Sequence, residues 1–301
     1  MKNIFYFTFI FLILSCNKER NILVFQSDFG LKDGAVAAMK GVSCSVSDNL
    51  QIYDLTHEIA AYNISEAAYR LNQSASYWPA GTVFVSIVDP GVGSTRKSIV
   101  MKTKTGHYFV TPDNGTLTLI AESMGIEDVR EIDETTNRLK GSNESYTFHG
   151  RDVYAYTGAR LASKAITFEQ VGNVLDGDIV RLPGMNADVK GNEIVGNIPV
   201  LDVQYGNVWT NIDKTTLEKI GVKAGDSLSV SISFGADKKY ENTILFGNTF
   251  SDVPVGSELA YMNSLLKLSI AIRQGNFAAK YQVSTGDRWI ITVAKSQGSP
   301  R

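Results

Sequence analysis

The sequence predicts two domains: an α/β N-terminal domain with a largely parallel sheet, and a small antiparallel, barrel-like β domain after it. From residue 21 to about 183, short apolar stretches alternate with longer stretches of helical periodicity, which is typical of a parallel sheet covered by helices. After Pro183-Gly184 the chain is rich in β-forming segments joined by Gly, Asp and Asn turns, as in small barrels. A length of 301 residues suits two domains better than one.

The predicted elements of the first domain follow the chain in order. Each strand is a short run of apolar and β-branched residues, and each helix is a longer stretch with apolar residues at helical spacing. The second helix has a polar start, so Asn63 or Ser65 is expected to cap it. The predicted strands are 22–26, 51–54, 82–88, 98–103 and 107–111, and the predicted helices are 32–47, 64–77, 115–124 and 151–164.

The second domain is predicted from β-rich segments with little helical periodicity. Its boundary, near 184–192, follows Pro183 and contains the Gly, Asn and Asp residues typical of linkers. We therefore expect an α/β catalytic domain at 21–184 and a β-barrel domain at 190–298. The predicted strands of the second domain are 193–203, 226–234, 239–246 and 288–294.

The N-terminus differs in kind from the rest of the chain. An apolar run covers 4–14, too few residues for a helix to cross a hydrocarbon core of about 30 Å, so 1–15 is predicted to be a signal peptide. Ile13-Leu-Ser-Cys16 resembles a bacterial lipobox, which implies cleavage before Cys16, a lipid on its thiol and a tether at 16–20. That reading places the protein at a membrane of the bacterial cell envelope. The alternative is an ordinary secretory signal with an incidental cysteine.

Composition narrows the classes of partner. The chain is 44% hydrophobic and 20% charged, with a net charge of −2, as expected of an ordinary globular protein. Lys and Arg are scattered and balanced by Asp and Glu, so no nucleic-acid-binding surface is predicted. Three His and the single Cys left after cleavage show no close ligand spacing, and no metal site is predicted.

Two segments place ionisable side chains beside glycines where strands run out into turns: Asp89-Pro-Gly-Val-Gly-Ser-Thr-Arg96 and Thr147-Phe-His-Gly-Arg-Asp152. Ligands of open α/β sheets gather at the carboxyl ends of strands, and Asp89 directly follows the predicted strand 82–88. Asp-Pro-Gly alone is also an ordinary turn. Similar polar turns recur at Ser27-Asp28-Phe29-Gly30, Pro112-Asp113-Asn114-Gly115 and Tyr205-Gly206-Asn207.

These segments belong to seven ordered blocks that resemble the S-adenosylmethionine (SAM) hydroxide adenosyltransferases, or SAM hydrolases, relatives of fluorinase and chlorinase. The resemblance covers about 22–279. It implies that SAM is the substrate, that SAM is hydrolysed to adenosine and L-methionine, and that no cofactor is needed. It also implies a homotrimer with active sites between neighbouring subunits. The blocks are SDFGLKDGAVAAMKG, DLTHEI, DPGVGSTRK, TPDNGTL, TFHGRD, YGNVWTNI and MNS.

The resemblance assigns catalysis to Asp89, Arg96 and His149. The carboxylate would orient water or accept its proton, the guanidinium would favour the developing hydroxide, and the imidazole would complete the hydrogen-bond relay. Taken singly, Asp89 could instead close a turn, Arg96 could be a solvated surface charge, and His149 could cap the following helix. The halogenating relatives lack the Arg-His pair, and fluorinase has a halide-contacting Ser at the position of Gly150. The chain therefore looks hydrolytic.

The other blocks imply the residues that hold the substrate. A carboxylate that accepts from both hydroxyls of a ribose is a common solution, and Asp28 is expected to have this role. Leu265 replaces an Arg that clamps the methionine carboxylate in fluorinase, so that contact is expected to pass to Ser264 and backbone groups. The remaining assignments are Tyr62 against the ribose or adenine, Tyr205 and Asn207 at the adenine, and Asp33, Asp202 and Ser264 at the methionine ammonium and carboxylate.

Two rival functions remain open from the sequence. One is a lipoprotein that binds SAM or a nucleoside without turnover, and the other is an enzyme of the same fold acting on a different 5′-substituted nucleoside, for which Leu265 leaves room. Outside the site, His57 is expected to pack at a loop or strand end, and His107 is expected to face solvent.

Overall fold

The computed structural model describes residues 21–296. The predicted signal peptide, Cys16 and the tether at 16–20 lie outside the described residues. Within 21–296, no helix is long and apolar enough to cross a membrane.

The N-terminal domain is built on a six-stranded mixed sheet in the order β2-β1-β3-β5-β4-β6. The first four strands in this order are parallel, whereas β4 runs antiparallel to both of its neighbours. The strands are β1 (Ile22–Ser27), β2 (Gln51–Thr56), β3 (Val83–Ile87), β4 (Ser98–Thr103), β5 (Tyr108–Pro112) and β6 (Ile126–Glu131).

The prediction of a largely parallel sheet is therefore correct for strands β2, β1, β3 and β5 and wrong for β4 and its two ladders. The connection from β4 to β5 is too short for a parallel crossover, so the two strands form a hairpin. The edge strand β6 is absent from the sequence prediction because its segment, Ile-Glu-Asp-Val-Arg-Glu, is too polar to read as a buried strand.

Helices cover both faces of this sheet. Alternate side chains of β1 point to opposite faces: Leu23 and Phe25 lie in one apolar cluster, and Ile22 and Val24 lie in another. Asn63 caps the second helix, since its Oδ1 accepts from the Glu66 backbone N at 3.0 Å. The helices are α1 (Ala35–Val46), α2 (Ile64–Ala75), α3 (Thr118–Met124), α4 (Glu134–Asn137), a 3₁₀ turn at Glu169–Val171, and a π-helix (Gly150–Ala155) that continues as α5 (Tyr156–Ala162).

The close contact between α5 and the sheet depends on a glycine. A Cβ built on Gly158 would lie 2.4 Å from Cγ2 of Val85, whereas a Cβ on Gly41, in α1, meets nothing within 4 Å. We expect Gly158→Ala to lower the free energy of unfolding by about 1–3 kcal/mol through overpacking. Gly41→Ala is the matched control and is expected to raise it by about 0.5–1 kcal/mol, because Ala favours helix. Urea unfolding of both variants measures the difference, and equal effects would contradict the packing described.

The C-terminal domain is a nine-stranded sheet in the order β7-β8-β15-β11-β12-β13-β14-β10-β9. Only the β12–β13 pair is parallel among these neighbours. The described elements are β7 (Asp188–Lys190), β8 (Glu193–Ile198), β9 (Val200–Asp202), β10 (Asn207–Asp213), α6 (Lys214–Lys219), β11 (Ser227–Phe234), β12 (Asp237–Phe246), a 3₁₀ turn at Phe250–Asp252, β13 (Glu258–Met262), β14 (Lys267–Ile272), α7 (Phe277–Tyr281) and β15 (Gly286–Lys295).

The barrel prediction for this domain is confirmed only as a strand-rich, mostly antiparallel sheet. Most of its strands contribute side chains to one large apolar cluster, and β8 approaches β10 where the Asn197 backbone N donates to Asn211 Oδ1 at 2.8 Å. The ladders among the described strands nevertheless end at β7 and β9, without a hydrogen-bonded closure between them.

The two domains are joined through α2 of the first. Tyr69 packs on Trp209 with ring centroids 6.2 Å apart, and Arg70 Nη2 donates to the carbonyl of Leu201 at 2.9 Å. Leu265 packs in the same apolar cluster. The β9–β10 region therefore has a defined position against α2 of the N-terminal domain.

Candidate active site

Asp89 and Arg96 form a bidentate ion pair directly after the central strand β3. Arg96 Nε donates to Asp89 Oδ1 at 2.9 Å, and Nη2 donates to Oδ2 at 2.6 Å. Their side chains are only 6% and 11% exposed, so Arg96 is not a solvated surface charge. A two-point contact of this kind fixes the plane of the carboxylate as well as its position.

The Arg96 guanidinium is held from behind as well. Its Nη1 donates to Ser98 Oγ at 2.9 Å, and Ser98 Oγ lies 3.2 Å from the Tyr154 hydroxyl. Burial is the largest single influence and acts to lower the pKa of Arg96, but the hydrogen bond to Asp89 together with the nearby negative charges outweighs it, and the pKa is raised. Burial also raises the pKa of Tyr154, so the phenol stays neutral. Arg96 is thus a permanent cation with a fixed orientation.

His149 lies behind Arg96, immediately before the π-helix, and only 6% of it is exposed. Arg96 Nη2 lies 3.0 Å from His149 Nδ1, so the contacts run from Asp89 through Arg96 to His149. The side chain makes no capping hydrogen bond to the helix. The segment predicted as an α-helix from 151 therefore starts as a π-helix, a form that is often found at functional sites.

The pKa of His149 is lowered below its ordinary value, so the imidazole is expected to be neutral at pH 7. Burial is the main cause that lowers its pKa, and the Arg96 and Arg138 cations add to the shift, while Glu134 and Asp89 oppose it. The unfolded chain takes up this proton near the ordinary value of about 6.5, so His149 lowers stability as pH falls below that value. An NMR titration of the histidine Hε1 signals, with His149→Gln for assignment, measures this. Titration of His149 at or above the ordinary value would contradict it.

A cavity of about 270 Å³, here called the N-terminal cavity, opens in front of Asp89. Asp28 and Tyr62 also line it, and Asp28 Oδ2 accepts from the Tyr62 backbone N at 2.9 Å. Tyr62 has a φ of +68°, an uncommon value for a residue other than glycine, and the residue is 72% exposed. Two carboxylates and an exposed aromatic ring thus face one space. The other lining residues are Phe29, Ala61, Ile87, Val92 and Thr147.

The loop that carries Asp28 is anchored by a buried histidine. His57 Nδ1 lies 2.7 Å from Ser27 Oγ, and His57 Nε2 lies 3.1 Å from Asp54 Oδ1. The expected packing role of His57 is confirmed by these contacts. The expectation that His107 faces solvent is wrong: only 5% of it is exposed, and its Nε2 lies 2.8 Å from the carbonyl oxygen of Trp78.

A second cavity of about 1130 Å³, the C-terminal cavity, lies in the β domain. Four predicted substrate residues line it: Asp202, Tyr205, Asn207 and Ser264. Asn207 Nδ2 donates to Asp202 Oδ2 at 3.2 Å, so the adenine and ammonium assignments fall on adjoining side chains. Further lining residues that the sequence analysis missed are Trp209, Phe250, Tyr261, Asn263 and Arg273.

The turn between Asp202 and Asn207 requires glycine. Gly206 has a φ of +69°, and a Cβ there would lie 1.9 Å from Asn276 Oδ1. Asn276 also caps α7 by accepting from the Ala279 backbone N at 2.8 Å. The β9–β10 turn and the start of α7 are therefore fitted to one another beside the C-terminal cavity.

The predicted site residues are not all brought together in one chain. The two cavities lie in different domains and share no lining residue. Asp33 lines neither; it is exposed, and its Oδ1 accepts from the Ala35 backbone N at 2.9 Å at the start of α1. Leu265 packs at the domain contact rather than in the cavity wall.

The wall residues missed from the sequence carried little local signal. Trp209 and Tyr261 sit in strands, where an aromatic residue reads as core. Arg138 lines neither cavity but was also missed: its Nη2 lies 3.0 Å from His149 Nε2. Its i,i+4 spacing from Glu134, typical of a helical ion pair, could have drawn attention to it. Within residues 21–296, no group of three or more His, Cys, Asp or Glu is placed to hold a metal ion.

Comparison with known proteins identifies the family of this chain. Residues 23–172 match the model of the SAM hydroxide adenosyltransferase N-terminal domain, and 196–290 match that of its C-terminal domain. An (R)-S-adenosyl-L-methionine hydrolase of Methanocaldococcus jannaschii is 38% identical over 216 residues, 70% of this chain and 73% of the relative. A fluorinase of Nocardia brasiliensis is 29% identical over 295 residues, 90% and 96% of the two chains.

A solved structure extends the similarity to the fold. An uncharacterized conserved protein from Thermotoga maritima superposes with a TM-score of 0.81 at 34% identity, covering 91% of this chain and all of that one. Both domain models match in the order found here, and together they span well over half of the residues. The chain therefore belongs to the SAM hydroxide adenosyltransferase family.

Proposed function

We propose that this protein hydrolyses S-adenosyl-L-methionine to adenosine and L-methionine. The observation that carries the proposal is the buried Asp89–Arg96 pair, backed by His149, at the wall of the N-terminal cavity. A protein that only bound SAM would have no need to bury and orient all three groups. The similarity to a relative named as a SAM hydrolase supports the same reaction.

The proposed step is in-line attack of water on C5′. The bond from the water oxygen to C5′ forms as the bond from C5′ to sulfur breaks, and the electron pair stays on sulfur as the neutral thioether of methionine. The water proton passes to Asp89, which lines the cavity, and then to solvent. Holding the water in line is worth up to about 7–11 kcal/mol in ideal cases.

Arg96 and His149 act behind the carboxylate in this proposal. Arg96 orients the Asp89 carboxylate through two hydrogen bonds and stabilises negative charge that develops on the water oxygen. Because His149 is neutral and contacts Arg96 rather than Asp89, it fixes the guanidinium instead of taking the proton from water itself. The relay role predicted from the sequence thus becomes a positioning role.

Substrate binding is proposed to use both cavities. Asp28 accepts from the ribose diol and Tyr62 packs against the ribose, while Tyr205 and Asn207 bind adenine. Asp202 and Ser264 hold the ammonium and carboxylate of the methionine. The aromatic lining of the C-terminal cavity suits a flat base.

We further propose a homotrimer in which the N-terminal cavity of one subunit faces the C-terminal cavity of the next. The separation of the two cavities within one chain supports this arrangement, as does the exposure of Tyr62 and Tyr205, at 72% and 65%. Asp33, which is exposed in the single chain, would reach the substrate only in such an assembly.

Hydrolysis is favoured over halogenation by the surroundings of Gly150. A Cβ on this residue would lie 3.1 Å from the ring of Phe29, so a hydroxyl-bearing side chain has little room there. Removing water from a halide also needs a dry pocket, whereas Asp89 presents a charge to this one.

The test is incubation of protein that begins at Cys16 with SAM in ¹⁸O water, without added metal or halide. Adenosine labelled at the 5′ oxygen, formed with methionine, is the expected result. Unlabelled adenosine would rule out attack by water at C5′. Calorimetric binding of SAM without any product would instead favour the non-catalytic binding protein, and turnover of only other 5′-substituted nucleosides would favour the second rival.

We also propose that Cys16 is the first residue of the mature protein and carries lipid that anchors it in the cell envelope. The short apolar segment that ends just before Cys16 supports this. Metabolic labelling with a tagged fatty acid should mark the wild-type protein. Label that persists in a Cys16→Ala variant would show that the anchor is elsewhere.

A further inference from the structure

His149 has a second arginine on its other ring nitrogen. Arg138 Nη2 lies 3.0 Å from His149 Nε2, and Arg96 Nη2 lies 3.0 Å from Nδ1. A guanidinium only donates, whereas a neutral imidazole accepts at one nitrogen and donates from the other. The two arginines therefore compete for a single lone pair, and the position of the ring proton depends on both of them.

Arg138 is itself held by a carboxylate. Its Nε and Nη2 donate to Glu134 Oε2 at 3.2 and 2.7 Å, and both residues belong to the α4 segment. Its guanidinium also lies over the ring of Tyr146 at 4.7 Å, and that ring meets His149 edge-on at 6.5 Å. His149 therefore lies between two carboxylate–guanidinium pairs. Glu134 and Arg138 form the pair on one side, and Asp89 and Arg96 form the pair on the other.

Stability alone is a poor reason for this arrangement. The Arg138 side chain is only 7% exposed, and its Nη1 is buried without a hydrogen-bond partner among the described residues. Burying a cation with incomplete partners costs free energy, and a well-packed apolar residue would often serve the fold as well. The contact with His149 is what an apolar replacement would lose.

We propose that Arg138, held by Glu134, is a positioning residue of the active site: it fixes the His149 ring against Arg96, and through Arg96 it fixes the Asp89 carboxylate. Its effect on turnover rests on the proposed hydrolysis, whereas its effect on His149 does not. Thr147, next to Tyr146, lines the N-terminal cavity, so the same contacts hold one wall of that cavity.

The charges around His149 give a test that needs no substrate. Four charged groups face the ring: Arg96 and Asp89 from the strand side, and Arg138 and Glu134 from α4. Removing the Arg138 cation should raise the pKa of His149, and removing the Glu134 carboxylate should lower it. Opposite shifts would show that both charges act on the His149 ring itself, whereas loosening of the segment would expose the ring and raise its pKa in both variants.

The first experiment is the NMR titration of His149 in the wild type, Arg138→Gln and Glu134→Gln. Arg160→Gln is the matched control, since Arg160 donates to Thr136 O and Asn137 Oδ1 of the same segment without contacting His149. We expect opposite shifts in the first two variants and none in the control. Shifts in one direction, or no shift in Arg138→Gln, would overturn the proposal. If Arg138→Gln does not fold, the other two variants test the proposal. Glu134→Gln should lower the pKa of His149, and Arg138→Lys, which keeps the charge, should change it less.

The second experiment measures SAM turnover and SAM binding in the same proteins. Arg138→Gln should lower kcat about 10- to 100-fold, the range known for groups that orient metal-binding histidines in other proteins. SAM affinity should stay near that of the wild type, and Arg138→Lys should recover part of kcat by restoring the charge. Failure of the wild type to hydrolyse SAM would refute the proposed function and leave the titration result standing. Opposite titration shifts with an unchanged kcat would refute the role of Arg138 in the reaction.

Discussion

Replacing Asp89 by Asn is expected to reduce kcat for SAM hydrolysis by about 10²–10⁴-fold, the usual contribution of a general acid–base group. The amide keeps the size of the carboxylate but cannot accept a proton from water. Its NH2 group also cannot accept a hydrogen bond, so one of the two hydrogen bonds from Arg96 is lost. Binding of SAM should change much less, because the charge of Asp89 acts mainly on the water. Single-turnover rates at saturating SAM, with calorimetry of binding, separate the two effects.

The same replacement also leaves a buried arginine without its counter-ion. Loss of one partner from a buried pair typically costs about 3–5 kcal/mol, so urea unfolding must show that the variant is folded before its rate is interpreted. Asp28→Asn is the matched control, since it changes a carboxylate in the same cavity that is assigned to the ribose. It should weaken binding more than it slows the bound complex. Full kcat in Asp89→Asn would show that water is activated elsewhere.

Mixing two inactive variants is expected to restore activity if the site is shared between subunits. Asp89→Asn damages the N-terminal cavity, and the double variant Tyr205→Ala/Asn207→Ala damages the C-terminal cavity. Each proposed site combines the N-terminal cavity of one subunit with the C-terminal cavity of the next. In randomly mixed trimers each of these cavities is intact in about half of the cases, so about one quarter of the sites have both cavities intact. Each variant alone should stay near background.

The mixture is prepared by co-expression with two affinity tags, and native mass spectrometry confirms the mixed assemblies. Recovery of about one quarter of wild-type turnover would support active sites formed between neighbouring subunits. Verified mixed trimers with no recovered turnover would place both halves of the site in the same chain. A monomer in native mass spectrometry would contradict the proposed trimer directly.

Local sequence signals were sufficient for the parts of the fold that depend on neighbouring residues. The buried run of β3 and the turn that follows it placed Asp89 at a strand end, and the polar start of α2 predicted its cap at Asn63 or Ser65. Patterns of this kind reflect backbone preferences and side-chain periodicity within a few residues. The family itself could also be identified from ordered motifs alone.

Errors arose where a residue's surroundings come from distant parts of the chain. His107 has a polar, glycine-flanked context but is buried because Trp78 and Thr105 partner its two ring nitrogens. The polar strand β6 is held by its antiparallel ladder with β4, not by its own composition. The π-helical turn after His149 also departs from the α-helix that local periodicity predicted.

By itself, the sequence determined which chemical groups this protein carries: a carboxylate, a guanidinium and an imidazole in glycine-rich turns, and a second set of polar and aromatic residues beyond residue 190. Only the tertiary structure decided their order of contact, with Asp89 at the cavity, Arg96 behind it, and His149 between Arg96 and Arg138. The physical reason is that hydrogen bonds and burial depend on distances of a few ångström between residues far apart in sequence. Neither motif spacing nor periodicity records those distances.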